Sequence, residues 1–144
     1  MTYEEVFKEL KKKIYKPIYF LQGEESYFID KISDYISHNV LDESERDFNQ
    51  TVVYGRDTTI QDIVNMAKRY PMMSEYQVVI VKEAQDLSRS IESLSSYLEQ
   101  IMPSTILVFN YKYKKLDGRK ALGKELKKKG YLFTSDKVKD YKLP

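Results

Sequence analysis

The sequence predicts an α/β domain of three layers, with a mostly parallel sheet of about five strands. Short runs such as Ile18 to Leu21, Val78 to Val81 and Ile106 to Phe109 are apolar at every position. A strand without polar alternation is buried on both faces. Between these runs apolar residues recur at helical spacing, and helices are the crossovers that parallel strands need. No repeat, low-complexity stretch or linker-like segment interrupts the 144 residues. Residues 1–144 are therefore expected to form a single domain, long enough to bury a core.

The elements follow in order. Val6, Phe7, Leu10 and Ile14 place one apolar stripe on a lysine-rich first helix, expected outside the sheet. Pro17 leads into the first strand, which ends near Gly23. Ser26 is placed to cap a helix carrying Phe28, Ile29, Ile32, Ile36 and Val40 on one face. Residues 48–54, centred on Val52-Val53, read as the second strand. Thr59 with Asp62 resembles a capping box with Asp at its third position, opening a helix with Ile60, Ile63, Val64 and Ala67 inward. Pro71 is expected to end that helix. Val78 to Val81 is the third strand. A helix capped by Ser90, with Ile91, Leu94, Leu98 and Ile101 on its stripe, leads to the fourth at Ile106 to Phe109. A lysine-rich helix around 119–129 then stops at Gly130, before a fifth strand at Tyr131-Leu132-Phe133.

Composition excludes several functions. There is no cysteine, so disulfides, thiolate nucleophiles and cysteine zinc sites are out, and one histidine cannot build a histidine metal centre. The longest apolar runs are four residues, against the roughly 20 of a membrane span. The acidic start, Met1-Thr2-Tyr3-Glu4-Glu5, has no apolar core of a signal peptide. These features predict a soluble, cytoplasmic protein without membrane contact. Charge is nearly balanced at +2 but divided: residues 1–110 net −6 and residues 111–144 net +8. Nine of the basic side chains lie between Lys112 and Lys129. Such a run is either a solvated face or a contact with an acidic partner or nucleic-acid phosphates.

A sheet of this kind is a common nucleotide scaffold, yet the chemistry is missing. A phosphate loop after the first strand needs G-x-x-x-x-G-K-[ST]. The chain has Gln22-Gly23-Glu24-Glu25-Ser26-Tyr27, two carboxylates where a triphosphate would sit. Gly118 to Lys124 matches the spacing, but Glu125 replaces the magnesium-binding hydroxyl and the match lies nine residues beyond Phe109, where a helix start is expected. After the third strand stands Lys82-Glu83, not the aspartate that holds Mg²⁺ in a hydrolytic site. There is no G-x-S-x-G or H-E-x-x-H, His38 lies among polar residues at the end of a helix, and no carboxylate pair forms an acid/base couple. Asn49-Gln50-Thr51 fits a glycosylation acceptor, which carries little weight without a secretory signal. No catalytic residue, cofactor or metal is expected.

One loop is unusual. Tyr70-Pro71-Met72-Met73-Ser74-Glu75-Tyr76-Gln77 puts two methionines beside a proline and two tyrosines. Methionine often fills irregular gaps under a sheet edge. The alternative is an apolar plug on a short helical turn, entering a partner's pocket between flanking tyrosines.

Here the sequence resembles the bacterial DNA polymerase III delta subunit, a clamp-loader component. Pro17 to Tyr27 is similar to that family's opening strand and its G-[ED]-[ED] turn. Pro71 to Val81 is similar to a second signature, a bulky apolar pair, Ser or Gly, Glu and then a strand. Lys114-Lys115-Leu116-Asp117-Gly118-Arg119-Lys120 resembles a third, K-L-D-x-R-K-like segment. The resemblance spans about residues 14–135.

The resemblance implies an AAA+-like (P-loop NTPase-type) fold with a degenerate nucleotide site and no intrinsic enzymatic activity. It implies binding of the ring-shaped sliding clamp (the beta subunit), with Met72 and Met73 in the clamp's hydrophobic pocket and Tyr70, Pro71 and Tyr76 at its rim. Leucine and phenylalanine are the usual pair, so Met-Met is a departure that bears on affinity. Such binding opens a ring only by favouring the opened state. Later helical lid and collar domains, absent from this chain, would join other clamp-loader subunits, with 137–144 as the start of that connection. Lys114, Lys115, Arg119, Lys120, Lys127 and Lys128 are candidate contacts to primed DNA in the assembled loader. Two other readings are a divergent P-loop NTPase using Gly118 to Lys124 and a basic nucleic-acid-binding module using the 111–129 lysines.

Overall fold

The computed structural model describes residues 1–136. In chain order they form α1 (Tyr3–Lys11), β1 (Ile18–Gly23), α2 (Ser26–Asn39), α3 (Glu43–Asn49), β2 (Gln50–Tyr54), α4 (Ile60–Ala67), β3 (Gln77–Lys82), β4 (Thr105–Lys112), α5 (Ala121–Lys129) and β5 (Leu132–Thr134). The strands make one sheet in the order β2-β3-β4-β1-β5, and every pairing is parallel.

The continuous apolar runs divide their side chains between two cores. Ile18, Phe20, Val79, Val81, Leu107 and Phe109 face α4, the 3₁₀ segment Ile91–Glu99 and α5. Tyr19, Leu21, Val78, Ile80, Ile106 and Val108 face α1 and α2. Right-handed crossovers explain the division. The chain leaves β1 toward the far edge through α2, then returns from β2 to β4 through α4 and the 3₁₀ segment, so the connections lie on opposite faces. Neighbours β1 and β4 thus send their connections to opposite sides, which makes the crevice at their C-terminal ends the topological switch point.

Several sequence expectations change. Residues 43–49 form a helix, so Phe48 and Asn49 belong to it and the strand starts at Gln50. Asp42 caps it in a reciprocal box with Glu45, which leaves Phe48 73% exposed. The strand beside it is a sheet edge, which leaves Val52 exposed. Glu25, not Ser26, caps α2, its carboxylate accepting from the Tyr27 N–H at 2.9 Å. The first helix stops at Lys11, leaving Ile14 exposed. Thr59 accepts from the Asp62 N–H at 3.1 Å, but the short Asp side chain does not complete the reciprocal bond. That helix ends at Ala67, before Pro71. Residues 91–99 are 3₁₀, not α-helical, and bury Ile91, Leu94 and Tyr97 at a spacing of three. Their serines help: Ser93 and Ser96 donate to the carbonyls of Ser90 and Ser93. The lysine-rich helix begins at Ala121, and Tyr131 precedes the last strand. The segment 137–144 lies outside the described residues.

Among the described residues no helix is long and apolar enough to cross a membrane. No group of three His, Cys, Asp or Glu among them could hold a metal ion.

Candidate functional site

The loop from α4 to β3 is exposed at its apolar pair and anchored at both feet. Met73 is fully exposed, Met72 is 63% exposed and Tyr70 is 79% exposed. The pair therefore fills no gap in the core, and its surface faces solvent. The loop contains bends and no helical turn. Met73 takes the left-handed conformation, φ 58, which turns the chain sharply at the tip.

At the α4 foot, the Gln77 amide donates to the carbonyls of Arg69 and Met66 at 2.7 and 3.0 Å and to the Thr105 hydroxyl at 2.8 Å. Thr105 in turn donates to the Ala67 carbonyl at 2.6 Å, so two side chains satisfy the end of the helix. At the β3 foot, Tyr76 is half-buried with its ring edge-on to Tyr15 at 5.5 Å. Its accessible edge joins Tyr70, Glu75, Met102, Pro103 and Ser104 around an open groove of about 570 Å³. Pro71 is also half-buried. In the middle, the buried Asn49 side chain accepts from the Met72 N–H at 2.6 Å and donates to the Met72 carbonyl at 3.0 Å. Sequence reasoning missed Asn49, Gln77 and Thr105. The Asp42-to-Glu45 spacing is the signal that would have found α3 and set Asn49 at its end. With its amide buried and bonded, Asn49 offers no glycosylation acceptor.

The switch-point crevice is closed by the chain's own groups. Where a phosphate loop aims backbone N–H groups at its ligand, Gly23 N–H donates to the Lys114 carbonyl at 3.1 Å and Glu25 N–H to the Ser135 carbonyl at 3.2 Å. A side chain at Gly23 (φ 123) would collide with the Ser135 carbonyl. Lys112, at the end of β4, reaches Asp30 at 2.7 Å and Glu83 at 3.5 Å. Burial alone would lower its pKa, yet the Asp30 hydrogen bond and the two carboxylate charges hold it above the usual lysine value. Glu83, beside the position where a hydrolytic site has its metal aspartate, therefore faces an ammonium. The Gly118-to-Lys124 match opens α5, with Gly123 packed under the Asp117 carbonyl.

All six candidate DNA-contacting residues are exposed, and three of them have partners. Lys114 donates to Ser88, Lys115 pairs with Asp136 at 2.5 Å and Arg119 pairs with Asp117 at 3.1 Å. Lys120, Lys127 and Lys128 are exposed. The last two sit in the final turn of α5, where a positive charge complements the helix dipole without any partner.

Residues 19–135 match the family described as DNA polymerase III, delta subunit. The chain belongs to that family. A curated relative, DNA polymerase III subunit delta of Bacillus subtilis strain 168, is 30% identical over 143 residues, covering 93% of this chain and 41% of the relative. The solved Bacillus subtilis DNA clamp loader delta protein (YqeN) superposes with a TM-score of 0.80 at 28% identity, over 95% of this chain and 43% of that one. The chain thus spans about two fifths of the length of these delta relatives. A gamma subunit-related protein of DNA polymerase III from Thermotoga maritima superposes at TM-score 0.56 with 14% identity, over 97% of this chain and 47% of that one. That likeness concerns the fold alone.

Proposed function

We propose that this delta-family domain is a non-catalytic, cytoplasmic clamp-binding unit of the replicative clamp loader. Met72 and Met73 enter an apolar pocket on the sliding clamp, Tyr70 and Pro71 line the rim, and Tyr76 supports the loop from below. Ring opening follows because the contact is stronger with the opened clamp than with the closed one. The other loader subunits are met through domains beyond this chain. The carrying observation is the exposed methionine pair on a loop held at both feet and at its centre. A loop whose backbone is already restrained loses little backbone freedom on binding, so the ordering cost is confined to its side chains. A nucleotide plays no part in this reading, which the internally bonded crevice supports. Primed DNA, if met in the assembled loader, falls to Lys120, Lys127 and Lys128.

Burying two methionine side chains contributes roughly 3–6 kcal/mol before ordering costs. Calorimetric titration of this chain into its cognate clamp is therefore expected to show binding that weakens at least ~30-fold in Met72→Ala/Met73→Ala with unchanged melting temperature. Absence of binding by the intact chain would remove clamp engagement. Binding that survives the double substitution would place the contact elsewhere.

A further inference from the structure

We infer that Asn49 is the positioning residue of the clamp contact, its buried amide holding the Met72 backbone in the orientation that projects Met72 and Met73 outward. The inference rests on the reading of the 70–76 loop as that contact. Asn49 is 5% exposed and closes α3. Its side chain makes three bonds: Oδ1 accepts from the Met72 N–H at 2.6 Å, and Nδ2 donates to the Met72 carbonyl at 3.0 Å and the Glu45 carbonyl at 3.1 Å. These partners fix the amide's orientation, because one is a donor and two are acceptors.

Holding the N–H and the carbonyl of one residue restrains both peptide planes around it. The Met72 side chain is left on the solvent side, and the next residue turns into the left-handed region. A short loop with an exposed apolar tip would otherwise sample conformations that fold the methionines back against the protein. Apparent affinity falls in proportion to the fraction of molecules whose loop is competent. Asn49 keeps that fraction high from a helix that contributes no other side-chain hydrogen bond to the loop among the described residues.

The test compares Asn49→Ala and Asn49→Asp with Met72→Ala/Met73→Ala. It reads clamp affinity by calorimetry and, without clamp, amide hydrogen exchange at Met72 and at Ile80 in β3. In Asn49→Ala, exchange at Met72 is expected to accelerate at least tenfold with Ile80 unchanged, and clamp affinity to fall about tenfold. Asn49→Asp supplies the conservative rescue. Its neutral acid accepts from the Met72 N–H and donates to one of the two carbonyls, whereas its carboxylate faces both without a proton. Its affinity relative to the parent chain at each pH is therefore expected to rise toward pH 5.

Unchanged affinity in Asn49→Ala, while the double methionine variant loses binding, overturns the role of Asn49 and leaves the contact standing. Unchanged affinity in both overturns the contact and with it the inference. Equal loss of protection at Ile80 also overturns it, since Asn49 then holds the fold and not the loop. An Asp variant whose relative affinity does not vary with pH removes the hydrogen-bond account.

Discussion

Met73 pairs an unfavourable backbone with a side chain that touches nothing: φ is 58 and the residue is fully exposed. The left-handed conformation costs a residue with a Cβ about 1–2 kcal/mol, a cost glycine avoids. Met73→Gly is therefore expected to leave the melting temperature equal or slightly higher, since relief of strain opposes the entropy glycine adds to the unfolded chain. The same variant is expected to weaken clamp binding at least ~10-fold, checked by scanning calorimetry and titration side by side. Loss of stability with binding intact would show the side chain to be structural.

Tyr19 carries a different prediction at the same scale. It is buried, and burial pushes its pKa up to about 12 despite the Lys16 N–H that donates to its hydroxyl. A group raised in the folded state stabilises fully below its unfolded value and loses that contribution as pH rises to the folded one. Stability is thus expected to fall between pH 10 and about 12, by up to ~2–3 kcal/mol from this residue. Lys112 is also raised, so its stabilising contribution is likewise lost only as alkaline pH approaches its folded value. Tyr19→Phe is expected to flatten the alkaline limb of a urea-unfolding series and leave Lys112's share in place.

At the scale of the element, local chemistry and tertiary demand disagree in a readable way. The helix α4 opens on Thr59, whose hydroxyl accepts from the Asp62 N–H without a reciprocal bond. Thr59→Ala is accordingly expected to cost about 1 kcal/mol, seen as a lower urea midpoint at constant slope. Its other end is satisfied by Gln77 and Thr105, residues from two strands that no cap rule applied along the chain would select. The segment 91–99 has helical apolar spacing, but only tertiary packing distinguishes 3.6 from 3.0 residues per turn. Gly130, in contrast, ends α5 in the left-handed conformation as its position in the sequence implies. Reading Phe48 as the start of the second strand misses α3, whereas Asp42 and Glu45 form a complete capping box. That error hid Asn49, and with it the centre of the candidate site.

For the whole molecule, strand order places β1 beside β4 and opens the switch point where relatives of this fold take nucleotides. Here the N–H groups of Gly23 and Glu25 are bonded to the Lys114 and Ser135 carbonyls, and Lys112 provides the positive charge between Asp30 and Glu83. A triphosphate would have to break these bonds and meet Glu24 and Glu25. Titration with a fluorescent ATP analogue is expected to show no saturable binding up to millimolar concentration. Saturable binding that disappears in Lys124→Ala would instead support an NTPase built on Gly118 to Lys124.

The strand runs, the crossover helices and the missing phosphate loop were legible in the sequence because each depends on residue type at short range. Apolar continuity marks a doubly covered strand, and a carboxylate pair in place of a glycine-lysine loop is plain from the residues alone. The methionine pair could be located in the same way, but its exposure could not. Methionine serves equally as core filler and as contact, and burial is settled by what the fold brings alongside. Only the tertiary structure seated β2 at an edge, joined Asn49 to Met72 across 23 positions and brought Lys112 to Asp30 and Glu83. Those contacts join residues far apart in the chain, and no local periodicity encodes which of them will meet.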